Sequence, residues 1–472
     1  MKRIATIIGI LVILIVAAAA AAPFWFGMET EKAYNNMVQE LSSSTAISSK
    51  RYERGWLSST AETTVALSGA PVELSMVHRI AHGPLPIDRL LQGDLVLAPA
   101  MAFITSEIRL VPKRGSDQAW LKDFSKRMAA LKADTVVQFN GNIDTTLNLP
   151  PSRDKGRDGT QFSSHGMNGR LAFREGGQQV EVELTVPALS LKSPNSDFAL
   201  KNLVYRFSSN AGMAGYLFGN STLQLSQLSI GPDFELKGLR LTSKAKPAGA
   251  NVTATVDYRI QGIKSGVDQY GPGQLVLVAR NLDAKALQKF NQQYSQIAKR
   301  GLPQEQASMM AAAEMMKLVA SLSKKAPEIE VTKLSFTTKE GELTGNGKLV
   351  LDGSNLDIAT NPFLALRALR GDAELSIPPS MVKAILTPSI RRDVESYTRT
   401  GALSSSEAAK LTPEVMAEIV DRAYPQYLTR NSFTRMLVPA GPFYRITAAF
   451  RDGTLLINGR PLPQPLMRLS AS

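Results

Sequence analysis

Residues able to do chemistry are scarce in this sequence. Of 472 residues three are histidine, His78, His82 and His165, and none is cysteine. Without thiols, cysteine nucleophiles and cysteine-ligated metals are excluded, and an exported domain has to stand without disulfides. His78 and His82 lie four residues apart, so they share a face of either a strand or a helix and a metal pair is geometrically allowed. Their neighbours argue against it. Arg79 stands where a His-Glu-x-x-His helix needs its glutamate, its charge opposes a cation, and a third ligand is missing. The better reading of His82 is a histidine satisfied by backbone groups near the Gly83-Pro84 turn. No Gly-x-Ser-x-Gly elbow is present. Gly271-Pro272-Gly273 lacks the Lys-Ser/Thr that phosphate cradling needs and reads as a turn. Two carboxylates converging from distant strands would leave no local spacing to detect. The sequence therefore names no catalytic residue, no metal ligand and no cofactor.

Two features suit binding better than catalysis. Arg54-Gly55 could contact a ligand, but a glycine there more often permits a turn, with Trp56 locking the first strand onto the core. After Pro303, Met309, Met310, Met315 and Met316 are interleaved with alanines, and Met309, Ala312, Ala313, Met316 and Val319 fall on one helical side. That soft apolar face either packs on a sheet, the favoured reading, or borders a groove for an acyl chain or hydrophobic peptide.

The elements that must carry these residues are mostly strands. Val180, Val182, Leu184 and Val186 alternate with Glu181, Glu183 and Thr185, and Val252 to Ile260 repeats the pattern, as expected of antiparallel strands with one buried face. Phe198 to Leu203 and Phe234 to Leu239 share Phe-x-Leu-Lys-x-Leu, and in both the alternation slips by one residue, which predicts bulges in successive strand pairs of a meander. Helices are expected at Leu121 to Leu131, after a cap at Asp283, after Pro303 and from Thr412-Pro413, with Val415, Ile419 and Ala423 aligned on the last. Thr332 to Leu351 reads as strands turned at Lys339-Glu340-Gly341 and again at Gly345-Asn346-Gly347, and a closing hairpin joins Tyr444–Phe450 to Thr454–Ile457 through Asp452-Gly453. The charged, glycine-rich stretch from Pro151 to Gly159 is either an exposed loop or a hairpin tip.

Before all this stands an apolar run. Ile4 to Phe26 follows Lys2-Arg3 and is long enough for a helix spanning a hydrocarbon core of about 30 Å, with the cations holding the N-terminus in the cytoplasm. Residues 1–3 would be a cytoplasmic tip, 4–26 the anchor and 27–472 a periplasmic body, possible as one domain or as two lobes of about 45–280 and 330–472 with a helical insertion at 283–325. Glu29 to Leu41 reads as a short helix leaving the membrane, with Phe24 and Trp25 at the far interface. A leader cleaved after Ala20-Ala21-Ala22 is the competing reading; the length of the run and Pro23 favour a retained anchor. The formal charge of +13 is scattered rather than gathered, so a general attraction to anionic headgroups or acidic envelope polymers is expected, and nucleic acid is not. The predicted architecture is α+β, predominantly antiparallel β: a long twisted meander sheet covered by several helices and preceded by one transmembrane helix.

Tyr52-Glu53-Arg54-Gly55-Trp56-Leu57-Ser58-Ser59 resembles the Arg-Gly-aromatic/aliphatic-x-Ser-Ser signature of the bacterial YdgA-like proteins, a domain family of unknown function. Ile80 to Pro86, with His82-Gly83-Pro84, is similar to that family's His-Gly-Pro segment, and Phe450 to Leu462 to its closing hairpin. The resemblance implies an inner-membrane-anchored periplasmic protein of a Gram-negative bacterium, implies no activity, and marks Arg54, Gly55, Ser58, Ser59, His82, Gly83 and Pro84 as family-motif residues without a role. The expected function is non-catalytic binding of a lipid, another hydrophobic ligand or an envelope protein, with Met309 and Met316 as the apolar ligand surface. The alternative is an exported hydrolase acting on cell-wall or lipid substrates through carboxylates or His82.

Overall fold

The structure is a computed structural model that describes residues 22–36, 38, 39, 46–66, 72–87, 89, 93, 98–113, 131–156, 159–193, 197–213, 216–300, 302–356, 358, 361, 364–399 and 412–461. The expected anchor therefore lies outside the described residues except for its last five, and so does the helix expected at Leu121 to Leu131, apart from Leu131, which opens a strand. No helix among the described residues is long and apolar enough to cross a membrane. Contacts divide the chain into two units, Met1–Ile230 with Ala284–Met315, and Gly231–Asp283 with Met316–Ser472.

The first unit begins with helix α1, residues 22–36, and continues through β1 (Ala46–Arg54), β2 (Ser58–Ala66), β3 (Val72–His82), β4 (Ala102–Pro112), β5 (Leu131–Val137) and β6 (Ile143–Leu149). The hairpin β7 (Ser152–Lys155) and β8 (Gln161–Ser164) follows, then β9 (Met167–Arg174), β10 (Gln179–Lys192), β11 (Asp197–Met213) and β12 (Tyr216–Ile230). Every pairing is antiparallel. Neighbours run β1 to β6 in order, then β9, β10, β11 and β12, while β8 extends the sheet beside the far half of β10. The stretch after Pro151 is thus a hairpin, with Asp154 opposite Phe162.

Across β10 to β12 the registers align the apolar residues in rows: Val182 with Phe207; Leu184 with Tyr205 and Leu223; Val186 with Leu203 and Leu225. Beyond these, Leu189 meets Leu200 and Leu228. The expected bulge takes another form here. No register shift occurs at the slip, because all three strands change phase together, from Val186 to Leu189, Leu200 to Leu203 and Leu225 to Leu228. Asn202, with φ at 50°, makes the step, and Gly238 at 62° occupies the same motif position in the second copy. A left-handed residue turns the strand within its ladder, so the apolar face continues through a crease without an extra residue.

The unit closes with helix α2 (Ala284–Lys299), just after Asp283, and the first part of α3 (Gln304–Ser323). In the second unit β13 (Phe234–Ala248), β14 (Asn251–Ile260), β17 (Gly273–Asp283), β18 (Glu328–Thr338), β19 (Gly341–Leu351), β20 (Leu369–Ile377), β22 (Phe443–Arg451), β23 (Thr454–Ile457) and β24 (Arg460–Pro461) pair in that order. The short hairpin β15 (Gly262–Ser265) and β16 (Asp268–Tyr270) extends β13, and β21 (Val438–Ala440) joins the start of β22. The expected turn at Lys339-Glu340 is present, with Thr338 opposite Gly341, and so is the closing one, where Asp452 and Gly453 both take positive φ. The second turn expected at Gly345-Asn346-Gly347 is absent. Those residues continue β19, held between Val331 and Leu334 of β18 on one side and Ala373 and Leu375 of β20 on the other.

Helix α4 (Leu364–Ala368) precedes β20, and α5 (Pro379–Arg399) and α6 (Pro413–Arg430) cover one end of this sheet. Met381, Val382, Leu386, Ile390 and Val420 form a core with Ile377 of β20, against which Leu343, Leu375 and Ile446 pack. Thr412 caps α6 as expected, its hydroxyl accepting from the Val415 amide at 3.3 Å. The buried face of α6 is rotated from the expected one, with Val415 exposed and Val420, Ala423 and Tyr424 turned inward. Helix α5 gave no warning in the sequence, because its internal Pro388 interrupts the pattern that announces a helix.

Candidate functional site

The family-motif residues come together in the first unit, where they form the seat of α1. Pro23, Gly27, Thr30 and Tyr34 recur every three or four residues and are all buried, so α1 presents one continuous face to the sheet. Tyr34 packs with Ala61, Ile80 and Ala102 and with Tyr52, whose ring centroid is 5.2 Å away. Hydrophobic periodicity does not reveal this face, because its stripe is made of proline, glycine, threonine and tyrosine.

His82 ends β3 directly beneath Gly27. It is 1% exposed, and a Cβ on Gly27 would stand only 2.5 Å from its Cε1 and 2.7 Å from its Nδ1. Only a hydrogen at this position lets the helix lie on the imidazole. Nδ1 faces the Trp56 carbonyl at 3.1 Å and so carries the proton it donates, which makes Nε2 the acceptor for the Ser59 hydroxyl at 2.8 Å. The expectation that backbone groups satisfy His82 is met at Nδ1, with Ser59 as the added side-chain partner. A serine hydroxyl against a histidine nitrogen is also how a nucleophile meets its base. Here Ser59 is 2% exposed and the ring is roofed by α1, so no substrate atom reaches either group.

Four residues back along β3 and on the same face, His78 makes a second polar chain. Its Nε2 lies 3.0 Å from Thr63 Oγ1 and its Nδ1 2.7 Å from Ser106 Oγ, while Tyr34 Oη is 2.9 Å from the same Thr63 oxygen. Burial holds the His78 pKa below the ordinary imidazole value. Among the described residues no group of three His, Cys, Asp or Glu side chains could hold a metal. His165 is exposed in the connection between β8 and β9.

The rim is built from the other motif residues. Arg54 donates to Glu31 of α1 at 2.8 Å and lies over the Phe24 ring at 5.2 Å, and Trp56 meets the same ring at 5.0 Å. Trp56 does not enter the core as expected; at 57% exposed it forms an outer clasp on α1. The Gly55 amide closes the turn onto the Ser58 carbonyl at 2.9 Å. Gly83 reaches the Met101 carbonyl at 2.9 Å, so close to the neighbouring strand that a Cβ would fall 2.0 Å from the Ala100 carbonyl oxygen. The Pro84 carbonyl accepts from the Ala100 amide at 2.9 Å, which fixes the end of β3 against the start of β4.

Met309 and Met316 lie far along the chain on α3 and do not join this seat. Contrary to the packing expected of them, they are 74% and 53% exposed. The packed side of α3 is set at its C-terminal end, where Ala320 lies with Ile358 and Ala368.

Two proteins of Escherichia coli (strain K12) are similar to this chain. Protein YdgA is 23% identical over 438 residues, covering 82% of this chain and 83% of its own length. The uncharacterized protein YihF is 24% identical over 228 residues, covering 46% of this chain and 45% of its own. No solved structure matches. A family model matches residues 1–465, and the chain belongs to that family, described as bacterial protein of unknown function (DUF945).

Proposed function

We propose that the protein is a non-catalytic envelope protein, tethered to the inner membrane by residues 4–26, whose first sheet binds the acyl chains of a lipid. The observation that carries this reading is the apolar face of β10 to β12. Val182, Leu184, Val186, Leu203, Tyr205, Phe207 and Leu223 line it in register, yet each keeps part of its surface open. The opposite face carries exposed Glu181, Glu183, Arg206, Ser208 and Asn220, with Arg206 paired to Glu183 at 2.9 Å. Val180 and Leu225 on the same face are buried, so the protein covers the edges of these rows, while the seven residues between stay half-buried where a wholly enclosed face would bury them as completely as Ile80 or Phe103. From Val182 to Leu191 the face runs about 30 Å along the strands, a surface suited to an extended hydrocarbon chain and without directional demands. The tether rests on the apolar run after Lys2-Arg3, and α1, clasped by Arg54, Trp56 and His82, would hold the sheet at a fixed distance from the bilayer.

The test is native mass spectrometry of the full-length chain released from mild detergent. Phospholipid adducts are expected, and Leu184→Glu with Leu223→Glu is expected to reduce them at least about tenfold, since each substitution sets a charge against hydrocarbon. The pair Glu183→Lys with Arg206→Glu, on the opposite face, serves as the control and retains them. Equal adducts in both pairs, with folding checked by circular dichroism, would discard the lipid reading.

A further inference from the structure

Helix α2 has a composition unlike the rest of the chain. Between Ala284 and Arg300 there are four cations, Lys285, Lys289, Lys299 and Arg300, and no aspartate or glutamate. At 100° per residue these four fall within about a third of the helix circumference, on the side opposite Leu287, Phe290 and Ile297. The apolar side is partly covered by the protein: Ile297 is buried and Leu287 and Phe290 are half-buried, while Tyr294 on the same side is exposed and meets the Phe290 ring. Lys285, Lys289 and Arg300 are exposed, as are Gln292 and Gln296 between them. The outcome is a straight stripe about 22 Å long, cationic at both ends, with only neutral amides between.

We propose that this stripe of α2 docks on an anionic bilayer surface, as a contact separate from the N-terminal tether. Charge complementarity carries the choice. A stripe of one sign, in which Lys285, Lys289 and Arg300 have no acidic partner among the described residues of the kind that neutralises Arg206, Arg259 or Arg280, matches a plane of phosphate headgroups. Each lysine or arginine held near such a surface adds to the attraction, and salt removes it within a Debye length. No aromatic or aliphatic side chain on the stripe calls for insertion, so the contact is electrostatic and reversible. The apolar rows of β10 to β12 are not needed for it, so this docking stands or falls apart from lipid-chain binding.

The absence of cysteine allows a single label. The full-length chain carrying Gln292→Cys with a fluorophore is reconstituted into phosphatidylcholine vesicles, or into vesicles with about 30% phosphatidylglycerol, an anionic fraction that sets a negative surface potential. Quenching by neutral acrylamide is expected to be at least about threefold weaker on the anionic vesicles at low salt, and to return to the neutral-vesicle value in 0.5 M NaCl, about 4 Å in Debye length. Lys285→Glu with Lys289→Glu is expected to abolish the protection. Lys244→Glu with Lys246→Glu, the same charge change on β13, is expected to preserve it. Equal quenching on both vesicles would overturn the proposal. So would protection that survives reversal of the α2 charges, or that is lost equally with the β13 pair, since bulk charge would then explain it.

Discussion

At the scale of single residues, the polar groups under α1 set a dependence on pH. His78 is held neutral between Thr63 and Ser106 because burial penalises its charged form, and its pKa is therefore lower folded than unfolded. Between those two values the unfolded chain binds the additional proton, so stability falls as the pH drops from about 6.5 toward the folded value and is full above it. The carboxylates held low, Asp144 chiefly by its hydrogen bond from Arg174, Asp257 by Arg259 and Glu328 by Lys348, lose their contribution only further into acid, below their own ordinary values. Thermal unfolding followed from pH 7.5 to 5 is thus expected to show a declining melting temperature, and His78→Gln is expected to flatten that decline. An identical slope in the variant would remove His78 as its source. The sequence showed that His78 and His82 share a face. It could not show Ser59, Thr63 or Ser106, because hydrogen-bond partners across strands depend on register, and register leaves no mark on local spacing.

Among the elements, hairpins and helix caps were legible and faces were not. Asp452-Gly453, Lys339-Glu340 and Thr412-Pro413 carry their geometry in adjacent residues. Gly345 and Gly347 looked like a turn for the same reason, but glycine also serves inside a strand, and pairing on both sides settled which applied. The methionines of α3 illustrate the opposite failure: apolar side chains at helical spacing identify a stripe without saying that anything covers it. The face of α1 was missed because its central residue is a glycine, which hydrophobic periodicity does not count. Gly27→Leu tests whether that face is a true seat. Its Cβ would stand 2.5 Å from Cε1 of the His82 ring, so the helix or the ring has to shift. A loss of about 1–3 kcal/mol is expected from such overpacking, with hydrogen exchange accelerated across α1 and at the Ser59 to His82 pairing. Met28→Leu, one position along on the exposed side, is expected to be neutral. Unchanged exchange in 22–36 of Gly27→Leu would mean that the helix is held elsewhere.

For the whole molecule, the organisation along the chain has a consequence that fold class alone did not announce. The two units interleave: the chain leaves the first at Ile230, returns to it from Ala284 to Met315, and then completes the second. The strands of the second unit consequently come from two separate pieces of sequence, joined where β17 pairs with β18 from Gly273 opposite Phe336 to Arg280 opposite Glu328. Arg280 reinforces the seam, bonding Glu328 and Glu330 at 2.5 Å each. Neither piece can pair fully without the other, and closing this ladder requires the whole intervening segment to loop out first, which makes it a late and costly contact in folding. A chain cut after Arg300 exposes the consequence. Fragment 1–300 alone ends its sheet on an unpaired β17 whose edge is rich in leucine and valine, a template for self-association. Handled in mild detergent throughout, because it retains the apolar run 4–26, it is expected to self-associate when produced alone and to run as an equimolar complex when co-produced with fragment 301–472. Arg280→Glu in the long fragment sets like charges against Glu328 and Glu330 and is expected to weaken that complex at least about tenfold, the scale of replacing an attraction by a repulsion across a partly buried pair. Size-exclusion chromatography with light scattering reads all three outcomes, and a fragment 1–300 that is monomeric and folded by itself would show that the β17–β18 seam is dispensable.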